Sequence, residues 1–92
     1  MIETPLKFLI DTVDLLHSAC HNVDVQSQFD RAKDSIAHMA PEILHRGWDK
    51  IYWICKTQLN DGSNPYHKAC FAIYTQRYGT FKQLLLKQEA NT

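Results

Sequence analysis

The chain has 92 residues, which is enough for one domain with a single modest core. Ten Lys and Arg residues balance ten Asp and Glu residues, so the formal net charge is zero, and this balance argues against a strongly basic nucleic-acid-binding protein and against an acidic tail protein. A hydrophobic content of 45%, with only three glycines and three prolines, excludes a disordered chain.

Two features of the sequence bear on where the protein resides. No apolar run is long enough for a membrane span, because Asp11 and Asp14 interrupt the N-terminal apolar stretch, and the first residues lack the basic start and long apolar run of a secretory signal. The cysteines, Cys20, Cys55 and Cys70, are odd in number and lie in apolar, helix-like surroundings. We therefore expect a protein of a reduced, cytoplasmic compartment with no membrane association.

The first predicted helix covers residues 5–21. Thr4 is suited to be its N-cap and Pro5 its first residue, where a backbone N–H would have no helical partner. One stripe along this helix is apolar and the opposite stripe is polar, which indicates an amphipathic helix. The apolar stripe comprises Leu6, Leu9, Ile10, Val13, Leu16 and Cys20.

The second predicted helix covers residues 24–39, with Asp24 as its cap. Its apolar residues recur at steps of four and three, a heptad-like pattern that requires a partner helix. Ala40 precedes Pro41 and is therefore disfavoured in helical geometry, so the helix ends before this point. The apolar line is formed by Val25, Phe29, Ala32, Ile36 and Met39.

The third predicted helix covers residues 41–60. Pro41 fits its first turn, and the charge of Glu42 beside it is favoured by the helix dipole. Residues at helical spacing then form one apolar line, which we expect to face the core. This line consists of Leu44, Trp48, Ile51, Cys55 and Leu59.

The fourth predicted helix covers residues 65–88 and follows a loop rich in turn-forming residues, with Ser63 or Asn64 as its cap and Pro65 in its first turn. Gly79 leaves two alternatives open. The helix either continues, weakened by ~1 kcal/mol relative to alanine at that site, or breaks at Gly79, with Thr80 beginning a short fifth helix. The expected buried line is Phe71, Tyr74, Tyr78, Phe81 and Leu85.

No strand-like alternation of useful length occurs in the chain. The sequence therefore predicts an all-α, single-domain protein. Two architectures are compatible with the pattern, a four-helix bundle and an irregular packing of four to five helices.

The third helix carries the most informative surface residues. Because the apolar residues recur at helical spacing on one face, the residues of the opposite face form a line exposed to solvent, which we call the solvent line. Trp53 lies on this line, where a monomer favours a polar residue. An exposed Trp-Tyr pair beside Arg and Lys has the composition of an interface hot spot. The alternative is that the helix lies at the bundle centre and Trp53 packs beneath the long loop. The solvent line is Glu42, Arg46, Asp49, Trp53 and Lys56, and the expected partner-binding residues are Arg46, Lys50, Tyr52, Trp53 and Lys56.

These residues predict a small, non-enzymatic protein that binds a protein partner through the third helix and forms a homodimer. By analogy with other small stand-alone helical domains, including those encoded by phages and other mobile elements, we expect a regulator or inhibitor of a larger complex. Enzyme signatures are lacking, since the chain has no glycine-rich phosphate loop, no Gly-x-Ser-x-Gly elbow and no His-Glu-x-x-His helix.

The distribution of charge supports a second hypothesis. Residues 1–30 hold five acids and one base, a net charge of −4, whereas residues 31–92 hold nine bases and five acids, a net charge of +4. A basic C-terminal two-thirds is compatible with a nucleic-acid-binding regulator. Pairing of acidic with basic segments within the fold or between subunits explains the same split.

A repeated tetrad supports a third hypothesis. His17-Ser18-Ala19-Cys20 and His67-Lys68-Ala69-Cys70 share the form His-x-Ala-Cys, and residues three apart lie on one helix face. Two such pairs on neighbouring helices would supply a tetrahedral zinc site, with His21 as a substitute ligand. The alternative is that the thiols are buried as small apolar groups and that no metal is bound. The candidate zinc ligands are His17, Cys20, His67 and Cys70.

Overall fold

The computed structural model describes residues 3–90, which fold into four α-helices and contain no β-strand. The helices are α1 (Pro5–Cys20), α2 (Val23–Ala37), α3 (Leu44–Gln58) and α4 (Pro65–Ala90), and a 3₁₀ turn (Pro41–Ile43) precedes α3. The all-α fold predicted from the sequence is confirmed. Across the described residues, no helix is both long and apolar enough to span a membrane.

The start of α1 is as predicted, and the start of α2 is not. The Thr4 hydroxyl accepts a hydrogen bond from the Lys7 backbone N–H, at 3.2 Å. In α2 the cap is Asn22 rather than Asp24, because the Asn22 side-chain oxygen accepts from the Val25 N–H at 3.1 Å. Asp24 instead lies in the first turn, where its negative charge is favoured by the helix dipole.

The segment between α2 and α3 differs from the expected uninterrupted helical start at Pro41. The residues Pro41–Ile43 form one 3₁₀ turn without a side-chain cap, and regular α-helix begins at Leu44. At the other end, α3 stops at Gln58, two residues before its predicted end. A short 3₁₀ turn at a helix entrance is common where a proline fixes the backbone.

The fourth helix is continuous through Gly79, so the alternative with a break and a fifth helix is wrong. Asn64 is its cap, since the Asn64 side-chain oxygen accepts from the N–H groups of Tyr66 at 2.8 Å and His67 at 3.4 Å. Gly79 is exposed and has no neighbour close to the position of an added Cβ. Nothing at Gly79 therefore forces the helix to end.

The core forms around α1, which contacts each of the other three helices. The predicted apolar lines of α2 and α3 are buried, except that Met39 is half-buried. In α1 the buried face is displaced from the predicted stripe: Phe8 and Thr12 are buried, whereas Leu6 and Ile10 are half-buried. In α4 the prediction is partly wrong: Phe81 is buried as expected, but Tyr78 is 42% exposed.

An arginine fixes α4 against α1. The Arg77 side chain donates through Nε to the buried Thr12 hydroxyl at 2.7 Å, and its guanidinium carbon lies 4.0 Å from the centre of the Phe8 ring. Thr12 in turn donates to the Phe8 carbonyl oxygen at 2.8 Å. This contact combines a cation–π interaction with a hydrogen bond that satisfies the buried hydroxyl, and it sets the register of the two helices.

Gly47 allows α3 to approach α1 and α2 closely. A Cβ at this position would lie 2.9 Å from Leu9 Cδ2, 3.0 Å from Ile36 Cγ1 and 3.2 Å from Met39 Sδ. Those distances are shorter than ordinary carbon contacts, and Leu9 and Ile36 are fully buried, so they have little room to move.

The two helical glycines should therefore respond in opposite ways to alanine. We expect Gly79→Ala to raise the free energy of unfolding by about 0.5–1 kcal/mol, because it gains helix propensity without a clash. We expect Gly47→Ala to lower it by about 1–3 kcal/mol, because overpacking outweighs the same gain. Urea unfolding followed by circular dichroism measures both. Equal stabilisation by the two substitutions would contradict the close approach at Gly47.

Candidate partner-binding surface

The solvent line predicted on α3 and its entrance turn is exposed in the structure. Trp53 is 56% exposed, so the alternative in which it packs beneath the loop is wrong. The reason is the spacing of the buried residues, which turns one face of α3 to the core and directs the opposite face outward. The exposed residues of this face are Glu42, Arg46, Asp49, Lys50, Trp53 and Lys56.

Trp53 forms a compact cluster with two other predicted partner-binding residues, the exposed Lys56 and Tyr52, which is half-buried rather than exposed as predicted. The rings of Tyr52 and Trp53 meet edge to face with their centroids 5.9 Å apart. The Lys56 ammonium lies 5.0 Å from the Trp53 centroid and 5.8 Å from the Tyr52 centroid, close enough for a cation–π interaction with each ring. These contacts restrict the rotamers of the cluster, which reduces the entropy that a partner would have to remove.

The aromatic surface continues from α3 onto α4. The Tyr52 ring lies 5.6 Å from that of Tyr74, and Tyr74 lies parallel to Tyr78 with a centroid distance of 6.2 Å. Trp53, Tyr52, Tyr74 and Tyr78 thus form a continuous row, which we call the aromatic strip. Lys56 covers one end of the strip, and Lys82, whose ammonium lies 5.3 Å from the Tyr78 ring, covers the other.

The α4 half of the strip was not predicted as surface. The sequence predicts Tyr74 and Tyr78 on the buried line of the fourth helix, whereas Tyr74 is half-buried and Tyr78 is exposed. The spacing of Tyr74, Tyr78 and Lys82 by four residues was the available signal, because it places two aromatic rings and a cation on one helix face.

Trp48 lies beneath the strip and fills the space between α3 and α4. It is 2% exposed, stacks on Phe81 at 4.8 Å and approaches Tyr74 at 5.0 Å and Tyr78 at 5.6 Å. Its indole N–H is buried and makes no hydrogen bond of good geometry. Burial raises the pKa of Tyr74 above its ordinary value.

A groove continues from the strip toward the end of α4. The smaller part, beside Trp48 and Phe81, has a volume of about 230 Å³. The larger part, about 640 Å³, adjoins it at His45 and Leu85, which line both. Its remaining lining residues are Pro41, Glu42, Gln88 and Glu89.

The opposite flank of α3 forms a shallower groove with α2, of about 330 Å³. Arg31 and Lys50 line it with the amide of Gln28 and the hydroxyl of Ser35, and among residues 3–90 no carboxylate is part of the lining. This composition suits an anion better than a cation. Lys50 therefore lies at the boundary between this groove and the solvent face of α3.

The four residues of the zinc hypothesis are not brought together. Cys20 and Cys70 are buried, but the His17 ring faces Asp30, with Nε2 3.4 Å from the carboxylate, and His67 accepts the Asp61 backbone N–H at its Nδ1. Within residues 3–90, no group of three or more His, Cys, Asp and Glu side chains is arranged to hold a metal ion. The substitute ligand His21 stacks on Tyr66 instead.

The buried thiols predict a loss of stability at alkaline pH. Burial raises the pKa of Cys55 from 9.0 to about 12 and that of Cys70 from 9.0 to about 11. Both thiols ionise near pH 9 when unfolded but stay protonated when folded, so their stabilising contribution is complete below pH 9 and is lost above it.

We expect the free energy of unfolding to fall by roughly 1–3 kcal/mol per pH unit as the pH rises above 9. Urea unfolding under reducing conditions at increasing pH measures this slope. Cys55→Ala removes one of the two thiols and should give a shallower slope. A free energy that is constant across this range would show that the thiols are not buried as described.

Comparison with protein-family models, with curated proteins and with solved structures finds no match to this chain. Function is therefore inferred from the surface itself.

Proposed function

We propose that this protein is a non-enzymatic interaction module that binds a protein partner through the aromatic strip and the basic residues of α3. The observation that carries the proposal is the exposed Trp53, held between Tyr52 and Lys56 at the end of a four-ring row. A large aromatic side chain left in water is unfavourable in a monomer, and aromatic residues with Arg are enriched at the centres of interfaces.

The chemistry of the surface indicates what it would bind. The rings offer flat apolar area, and Arg46, Lys50 and Lys56 add exposed positive charge around Trp53. Such a surface complements a partner that presents an apolar stripe flanked by carboxylates, as on one side of an amphipathic helix. By occupying that stripe on a larger assembly, a protein of this size would act as a regulator or inhibitor of the assembly.

The experiment is a selection of peptides from a displayed library on sparsely immobilised protein, followed by affinity measurements. We expect the selected peptides to combine apolar residues at helical spacing with Asp or Glu. We expect Trp53→Ala to weaken their binding by roughly 30-fold or more, as for a hot-spot residue.

The matched control is Tyr66→Ala. Tyr66 is 48% exposed, but it lies in the first turn of α4, where its ring packs against His21, and it is not part of the strip. This variant should bind the selected peptides as the unaltered protein does. Peptides that bind Trp53→Ala and the unaltered protein equally would refute the proposed function, as would a selection that enriches no peptide.

A second candidate function, nucleic-acid binding, is favoured by the groove between α2 and α3. Arg31 and Lys50 line this groove together, and Arg and Lys are the side chains that commonly contact phosphate groups. The test is fluorescence anisotropy with a random-sequence duplex at increasing salt concentration. Binding that weakens with salt, with Arg31→Ala lowering the slope of log K against log salt by about 1, supports this candidate. Binding that does not respond to salt excludes it.

A further inference from the structure

We infer that the occupant of the α3 face is a second copy of this chain, with the two α3 helices antiparallel about a two-fold axis near Asp49. This inference rests on the proposed function, since it assigns a partner to the same surface. It follows from the order of charges along the exposed line of α3 and its entrance turn.

The charges along the exposed line are complementary to those of a second copy of the line placed antiparallel to it. In an antiparallel pair with a two-fold axis near Asp49, a residue on the N-terminal side of the axis faces the residue that lies equally far on the C-terminal side in the second copy. Glu42 then lies opposite Lys56 of the second copy, and Arg46 lies opposite its Trp53. Because the axis repeats each contact, two carboxylate–ammonium pairs and two guanidinium–indole pairs form together.

Each of these pairs is favourable. The carboxylate and the ammonium have opposite charges, and Arg is the cation that stacks best on the face of an indole ring. At the axis, Asp49 of one copy approaches Asp49 of the other, and these two like charges repel. Lys50, the next residue, is exposed on each copy and lies within reach of the facing carboxylate.

The exposed residues also have the right extent and setting for such a contact. From Glu42 to Lys56 the line covers fourteen helical steps, about 21 Å, which is a contact of about four turns. The chain has no net charge, so two copies do not repel one another at long range. The Trp53 ring lies within this line and the Tyr52 ring lies at its edge, so pairing would remove both rings from water.

The experiment is sedimentation equilibrium of a charge-swap series over a range of protein concentrations. The unaltered chain should show a reversible monomer–dimer equilibrium. Glu42→Lys places two ammonium groups opposite each other, and Lys56→Glu places two carboxylates opposite each other. Each should lower the association constant roughly tenfold, because both symmetric pairs change from attraction to repulsion.

The double variant Glu42→Lys/Lys56→Glu restores opposite charges across the axis and should recover the association constant to within about threefold of the unaltered chain. This rescue is specific, because Lys56→Glu also removes the ammonium from the Trp53 ring, and a loss from that cause alone is not reversed by Glu42→Lys. The controls for net charge are Asp34→Lys on α2 and Lys68→Glu on α4, both at exposed positions, which should leave association unchanged.

The outcomes separate this inference from the proposed function. A chain that stays monomeric, or a double variant no better than the single variants, overturns the antiparallel pairing. If peptide binding still depends on Trp53 in that case, the surface serves a foreign partner and the proposed function stands. If peptide binding is also independent of Trp53, both are overturned.

Discussion

The packing of Trp48 between α3 and α4 is the interaction on which the surface of this protein depends. Both helices are held against α1, and α4 lies mainly along α1 and touches α3 less extensively. The space that remains between α3 and α4 is filled by the Trp48 indole stacked on Phe81. Because the Trp48 indole occupies this buried space, the neighbouring rings of Tyr74 and Tyr78 lie nearer to solvent, at the outer edge of the contact between α3 and α4.

This arrangement explains why the four rings of the aromatic strip, two exposed and two half-buried, form one row across α3 and α4. Tyr52 and Tyr74 come from different helices, but each lies next to the space that Trp48 fills, and their rings meet at 5.6 Å. The strip is therefore supported from below by buried aromatic contacts and fixed at its ends by Lys56 and Lys82. A surface whose rings already hold one another in place loses little entropy when a partner covers it, whether that partner is a foreign helix or a second α3.

Much of the fold was predictable because three helices have a clear division between an apolar and a polar face. On α3 the regular spacing of Leu44, Trp48, Ile51 and Cys55 predicts both the buried line and, by exclusion, the exposed Trp53. The fourth helix has apolar residues around its whole circumference, so its sequence does not distinguish the side facing α1 from the rim facing solvent. The positions of Tyr74 and Tyr78 and the contact of Arg77 with Thr12 depend on which helices become neighbours, and local spacing does not contain that information.

A dilution series in which ¹H–¹⁵N NMR follows the two indole N–H signals tests whether the Trp53 face pairs two copies of the chain above a buried Trp48. The chain has two tryptophans, the buried Trp48 and the exposed Trp53, so Trp48 serves as an internal reference for Trp53. We expect the Trp53 signal to shift with protein concentration and to exchange rapidly with water only in dilute solution, whereas the Trp48 signal stays in place and is protected throughout. A Trp53 signal that is unchanged over the whole series would contradict the pairing of two copies, and a Trp48 signal that exchanges as fast as that of Trp53 would contradict the burial of Trp48.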